Sequence, residues 1–78
     1  MEQTIADDLL DGVPAIAAFM GLSRRRVYFL AERGLLPLFK MGDRKWQGRK
    51  STLRNHVIKL EREAIEYIDR LDNLSRPL

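Results

Sequence analysis

Three consecutive arginines, Arg24, Arg25 and Arg26, stand directly after Ser23, and Tyr28 follows one helical turn beyond Arg25. Guanidinium groups at that density suit phosphate binding, and an arginine on a helix can also pair with guanine in bidentate fashion. Arg25 and Tyr28 are therefore candidates for reading base edges, with contact to phosphates alone as the alternative. Arg24 and Arg26 are read as phosphate clamps. Ser23 is read first as a helix N-cap, its hydroxyl being a further phosphate contact. A second basic pair, Arg44 and Lys45, follows Gly42 in a turn and is placed to reach a nucleic-acid backbone. Arg49 and Lys50 precede a helix start, where positive charge is unfavourable, so an outside anion is implied there as well. Trp46, beside these bases, is read as closing a small core in preference to stacking on a base.

The same inventory argues against catalysis. His56 is the single histidine and there is no cysteine, so a metal site lacks ligands. Ser51, His56 and Asp69 could be recited as a triad. On one continuous helix, however, Ser51 and Asp69 would stand about 27 Å apart. Glycine-rich phosphate loops are absent. No enzyme activity and no cofactor are expected. A chain of 78 residues, 45% hydrophobic and 32% charged, makes one small soluble domain. Its apolar runs are too short to span a membrane, and Met1-Glu2-Gln3 is not the basic start of a signal peptide. A cytoplasmic location is expected, consistent with the lack of cysteine.

The net charge of +3 hides a sharp division. Residues 1–22 hold Glu2, Asp7, Asp8 and Asp11 and no base, a charge of −4. Residues 23–50 hold nine bases against Glu32 and Asp43, a charge of +7, and residues 51–78 balance to zero. A block at +7 is the footprint of a polyanion, with double-stranded DNA as the first candidate, since each neutralised phosphate releases condensed counterions. A merely solvated basic surface is the plainer reading.

The elements that must position these residues follow from local signals. Residues 1–12 read as an acidic arm, loose or with one short helical turn. Pro14 suits a first helical turn, Ile16, Ala17, Phe19 and Met20 supply an apolar face, and Gly21 ends the helix. A second helix runs from about Arg24 to Arg33 and stops at Gly34. Val27, Leu30 and Ala31 face inward, while Arg25, Tyr28, Phe29 and Glu32 lie largely on the other side. A short β-hairpin is expected over Leu38 to Gln47, with Pro37 at its edge and Gly42-Asp43-Arg44 as its turn. Ser51 caps a last helix from about Thr52 to Asn73, with Pro77 beyond it. The fold class is mainly α with a small β-hairpin: a winged helix-turn-helix over residues 13–60, then a helical extension and tail over 61–78. In such a unit the second helix enters the major groove and the hairpin is the wing.

Val13-Pro14-Ala15-Ile16-Ala17-Ala18-Phe19-Met20-Gly21-Leu22-Ser23 also resembles the first helix and turn of MerR-like winged helix-turn-helix domains of the excisionase (recombination directionality factor) type. Val27-Tyr28-Phe29-Leu30 with Gly34-Leu35-Leu36-Pro37 is similar to the recognition helix and its exit. Phe39 to Trp46 resembles the wing, and Arg49-Lys50-Ser51-Thr52-Leu53 the next helix start. The resemblance covers about residues 13 to 60. It implies a DNA-binding architectural factor that binds cooperatively, bends DNA and turns a site-specific integrase toward excision without catalysing strand exchange. It implies DNA contacts at Ser23, Arg24, Arg25, Arg26 and Tyr28 in the recognition helix and at Arg44 and Lys45 in the wing, with an integrase as a further partner. The chain departs from the pattern at Arg26, where many relatives carry threonine. A small transcription regulator or a DNA-packaging recognition subunit would use the same domain.

Leu53, Val57, Leu60, Ala64, Tyr67, Leu71 and Leu74 alternate at spacings of four and three, a heptad seam, and Ile58, Ile65 and Ile68 widen it. Leu53 to Leu60 are expected to cover the chain's own core. Ala64, Tyr67, Ile68, Leu71 and Leu74 are expected to meet another chain, a second copy or a protein partner. The acidic arm offers a second route to self-association, by docking on the basic block of a neighbour in head-to-tail fashion. From a different class, a protein-interaction adaptor would work through this last helix alone.

Overall fold

The computed structural model describes residues 4–42 and 44–75, with side chains through residue 73. Asp43 of the expected turn, the side chain of Leu74 and Pro77 thus lie outside the described residues. Helix α1 (Ile5–Asp8) leads into strand β1 (Leu9–Asp11), then come helices α2 (Val13–Met20) and α3 (Arg24–Glu32), strand β2 (Gln47–Arg49) and helix α4 (Lys50–Ser75). The chain is thus mainly helical, with a two-stranded antiparallel sheet and a long C-terminal helix.

Local chemistry accounts for the helical half. Pro14 lies in the first turn of α2, where its missing N–H costs nothing. Gly21 ends the helix at φ 69°, a left-handed conformation that glycine adopts without steric cost, and its N–H returns to the Ala17 carbonyl. The Leu22 N–H bonds the same carbonyl at 3.0 Å. Ser23 then opens α3, its Oγ accepting from the Arg26 N–H at 3.1 Å. One short turn, Gly21-Leu22-Ser23, therefore both closes one helix and opens the next. The buried faces of α2 and α3 meet over Ile16, Ala17 and Val27, and Leu10, Val13, Leu36 and Leu53 complete the core.

The sheet differs from expectation. In place of a hairpin over Leu38 to Gln47, a single bridge joins Phe39 and Gln47, with N–H···O distances of 2.8 and 2.7 Å. Pro37 has no N–H to offer, and the Leu38 N–H turns back to the Leu36 carbonyl, so the ladder does not continue beyond Phe39 on the side away from the turn. The other edge of β2 is taken by the acidic segment: Leu9 pairs with Arg49, Leu10 with Gly48 and Asp11 with Gln47. Residues 4–11 are therefore not a loose arm. They form the expected helical turn and then a strand that buries Leu10. Gly48 sits close under the core at the centre of β2: a Cβ there would stand 2.6 Å from Leu38 Cδ2, so the Leu38 side chain would have to shift to admit one.

Helix α4 starts two residues before the expected Thr52, and Ser51 lies inside it rather than capping it. The cap comes from Asp8. Its carboxylate accepts from the Ser51 N–H at 2.9 Å, from the Ser51 hydroxyl and from Arg49 Nε at 3.0 Å, while only 2% of the residue is exposed. A carboxylate at a helix N-terminus satisfies an orphan N–H and favours the helix dipole, which a neutral serine cap does less well.

The expectation that Leu53 to Leu60 cover the core holds only at Leu53, which is fully buried. Val57, Ile58 and Leu60 are exposed, as is every described residue from Leu60 onward. The radius of gyration is 16.4 Å. A compact chain of this length would have about 11.5 Å. Helix α4 projects from the body and accounts for the excess.

Candidate nucleic-acid interface

Helix α3 sorts its residues by side. Val27 and Ala31 are buried and Leu30 is half-buried against the core, while Arg24, Arg25, Arg26, Tyr28 and Phe29 are exposed. The inward and outward faces expected from residue spacing are those observed. Ser23 performs the capping role expected of it. The three arginines sit at the positive end of the helix dipole with no acidic residue in the first turn. That placement is mildly unfavourable to the helix itself, and an anion docked on the face would reverse its sign.

Phe29 lies on this face as its spacing predicts, although it is not among the expected contact residues. Its ring, part-exposed, has the Arg33 guanidinium 4.3 Å from its centroid and that of Arg26 at 5.7 Å. The spacing of three and four residues along one helix was the available signal. Two guanidiniums are thus held in place by an aromatic ring. Ser23, Arg25, Arg26 and Phe29 line one shallow cleft of about 250 Å³.

The second basic group is arranged differently. Arg44 is exposed. Lys45 Nζ lies 3.3 Å from Asp11 Oδ2, and Arg49 binds Asp8. The anion implied beside Arg49 is thus internal to the chain. The acidic segment folds back on the basic block of its own chain, which leaves Asp8 and Asp11 engaged within it. Lys50 is half-buried. Trp46 packs against the core as expected, with Lys40 Nζ 4.5 Å from its ring centroid.

Both engaged carboxyls are held below the ordinary value of 3.8. For Asp8 the Ser51 hydroxyl is the main cause, working against burial and aided by the Ser51 N–H and the Arg49 charge. For Asp11 the Gln47 side-chain amide leads and Lys45 follows. A carboxyl whose folded value lies below its unfolded one contributes stability above the unfolded value, and that contribution is lost as pH falls through the folded one. The fold is therefore expected to hold its full stability above about pH 5 and to weaken progressively below about pH 4. Thermal melts from pH 7 to pH 2 check this. Asp8→Asn should flatten the acid limb, and an unchanged limb would refute the assignment.

Among the described residues, no group of three or more histidine, cysteine, aspartate or glutamate side chains could hold a metal ion, and no helix is long and apolar enough to cross a membrane. Compared with protein-family models, with curated proteins and with solved structures, the chain matches none of them.

Proposed function

We propose that the chain is a sequence-specific DNA-binding factor of the winged helix-turn-helix kind, acting as an excisionase-like architectural protein. In this reading α3 is the recognition helix, Arg25 and Tyr28 address base edges, and Arg24 and Arg26 hold phosphates. The loop around Arg44 serves as the wing. It would bind cooperatively, bend its site and turn a site-specific integrase toward excision, with no chemistry of its own. The observation that carries this reading is the exposed arginine triad on the first turn of α3, facing away from the core beside the exposed rings of Tyr28 and Phe29. A solvated surface has no need of three cations at the disfavoured end of a helix dipole.

The bare apolar face of α4 favours a second reading, a protein-interaction adaptor. Fluorescence anisotropy on duplex DNA separates the two. DNA binding predicts log affinity falling linearly with log salt, by about 0.9 per phosphate neutralised. Arg25→Ala should reduce discrimination among sites selected from a random pool by roughly 5- to 100-fold, as expected for loss of a bidentate base contact. Affinity indifferent to salt, or no binding, would leave the adaptor.

A further inference from the structure

The exposed face of α4 carries a pattern that selects its own partner. In heptad terms Val57, Ala64 and Leu71 occupy a positions, and Leu60 and Tyr67 occupy d positions. Glu63 and Arg70 flank the same edge of the seam at successive g positions. Val57, Leu60, Tyr67 and Leu71 are all exposed. Neither Glu63 nor Arg70 forms an ion pair among the described residues.

We propose that α4 pairs with α4 of a second copy of this chain, antiparallel, about a two-fold axis passing between Ile65 and Glu66. In that register Ala64 of each copy meets Tyr67 of the other, and Leu60 meets Leu71. The small side chain then lies opposite the large one at both central layers. Equivalent g positions face each other across an antiparallel pair, so Glu63 of each copy meets Arg70 of the other, giving two ion pairs. A parallel pair has neither feature. Ala64 would oppose Ala64 and leave a gap, Tyr67 would crowd Tyr67, and Glu63 would face the apolar Ile68.

The body of the molecule leaves room for the partner. Where its helix end reaches Val57, the seam opens into an apolar groove of about 470 Å³ walled by Met20, Leu22, Leu30 and Leu35 as well as Val57 and Leu60. The paired layers from Leu60 to Leu71 cover about 17 Å of helix. Contact of this kind is isologous and closes at two copies, so it builds no filament. It stands whether or not the chain binds DNA, and the measurement contains none.

Sedimentation of the full chain between about 1 and 100 μM tests the proposal, with circular dichroism to confirm that each variant is folded. The wild type is expected to be a dimer at the upper concentrations, and Leu71→Asp a monomer throughout. Glu63→Arg and Arg70→Glu each place two like-charged pairs across the seam and should each weaken the dimer roughly tenfold or more. Mixing those two variants restores opposite charges at both places, so the mixture should dimerise about as well as the wild type. A wild-type monomer at 100 μM, or an assembly larger than two, overturns the proposal. So does a dimer that ignores the charge reversals, or a mixture that fails to recover.

Discussion

Replacing Asp8 with alanine is expected to lower the melting temperature by roughly 8–15 °C at pH 7, the largest effect of any single charge removal in this chain. One carboxylate joins three elements: it ends α1, precedes β1, and accepts from Ser51 and Arg49 at the start of α4. Without it the first turn of α4 loses its cap, and the Ser51 hydroxyl and N–H lose the acceptor that holds them. The edge pairing of β1 with β2 loses its anchor at the Arg49 end. Asp8→Asn keeps an acceptor for the Ser51 N–H but not the charge, and should fall between alanine and the wild type. Asp7→Ala is the control, since Asp7 is exposed and its neighbour carries the contacts. Thermal melts of the three variants check the ranking. If Asp8→Ala melts with Asp7→Ala, the cap is not what holds α4.

The prominence of Asp8 was not legible from the residues around it. Asp7 and Asp8 are adjacent acids in an acidic segment, and nothing local says that one is buried and the other solvated. That difference arises from an antiparallel pairing between Leu9–Asp11 and Gln47–Arg49, nearly forty residues apart in the chain. Strand β2 itself lacks the β-branched or aromatic residues that announce a strand. Its Gly48 looks like a breaker and is instead a fit to Leu38 and Leu53. Ser51 misled for a related reason: a serine before an apolar-periodic run is a sound cap signal, but a carboxylate from elsewhere took that role. By contrast, α2, its turn and α3 rest on signals confined to a few neighbours. Pro14, Gly21 and Ser23 fix the ends, and Val27, Leu30 and Ala31 fix the inward face of α3, so this half was readable. Periodicity also revealed the stripe on α4. How little of it the chain covers depends on where the body ends, which periodicity does not contain.

Removing the arginine triad, Arg24→Ala, Arg25→Ala and Arg26→Ala together, is expected to weaken DNA binding several hundredfold at 0.1 M salt. Each cation that neutralises a phosphate adds about 0.9 to the slope of log affinity against log salt. The two that hold phosphates, Arg24 and Arg26, amount to roughly 1.8 decades between 1 M and 0.1 M salt, and loss of the Arg25 base contact adds about 5- to 100-fold. The slope should therefore fall by close to two units in the triple variant. Misfolding does not produce the same result. Alanine has a higher helix propensity than arginine, the three side chains are exposed, and the cap at Ser23 uses the Arg26 main-chain N–H, which alanine retains. The variant should melt at or above the wild-type temperature, since three unfavourable charges leave the positive end of the α3 dipole. Phe29 keeps its closer contact, with Arg33 at 4.3 Å, so the aromatic part of the face survives. Lys45→Ala is the contrast, because the Lys45 ammonium already lies against Asp11. Its loss should change affinity only a few-fold and the slope by less than one unit. Anisotropy titrations at four salt concentrations, beside thermal melts of the same preparations, measure both quantities. A triple variant with wild-type affinity and slope removes α3 from the interface.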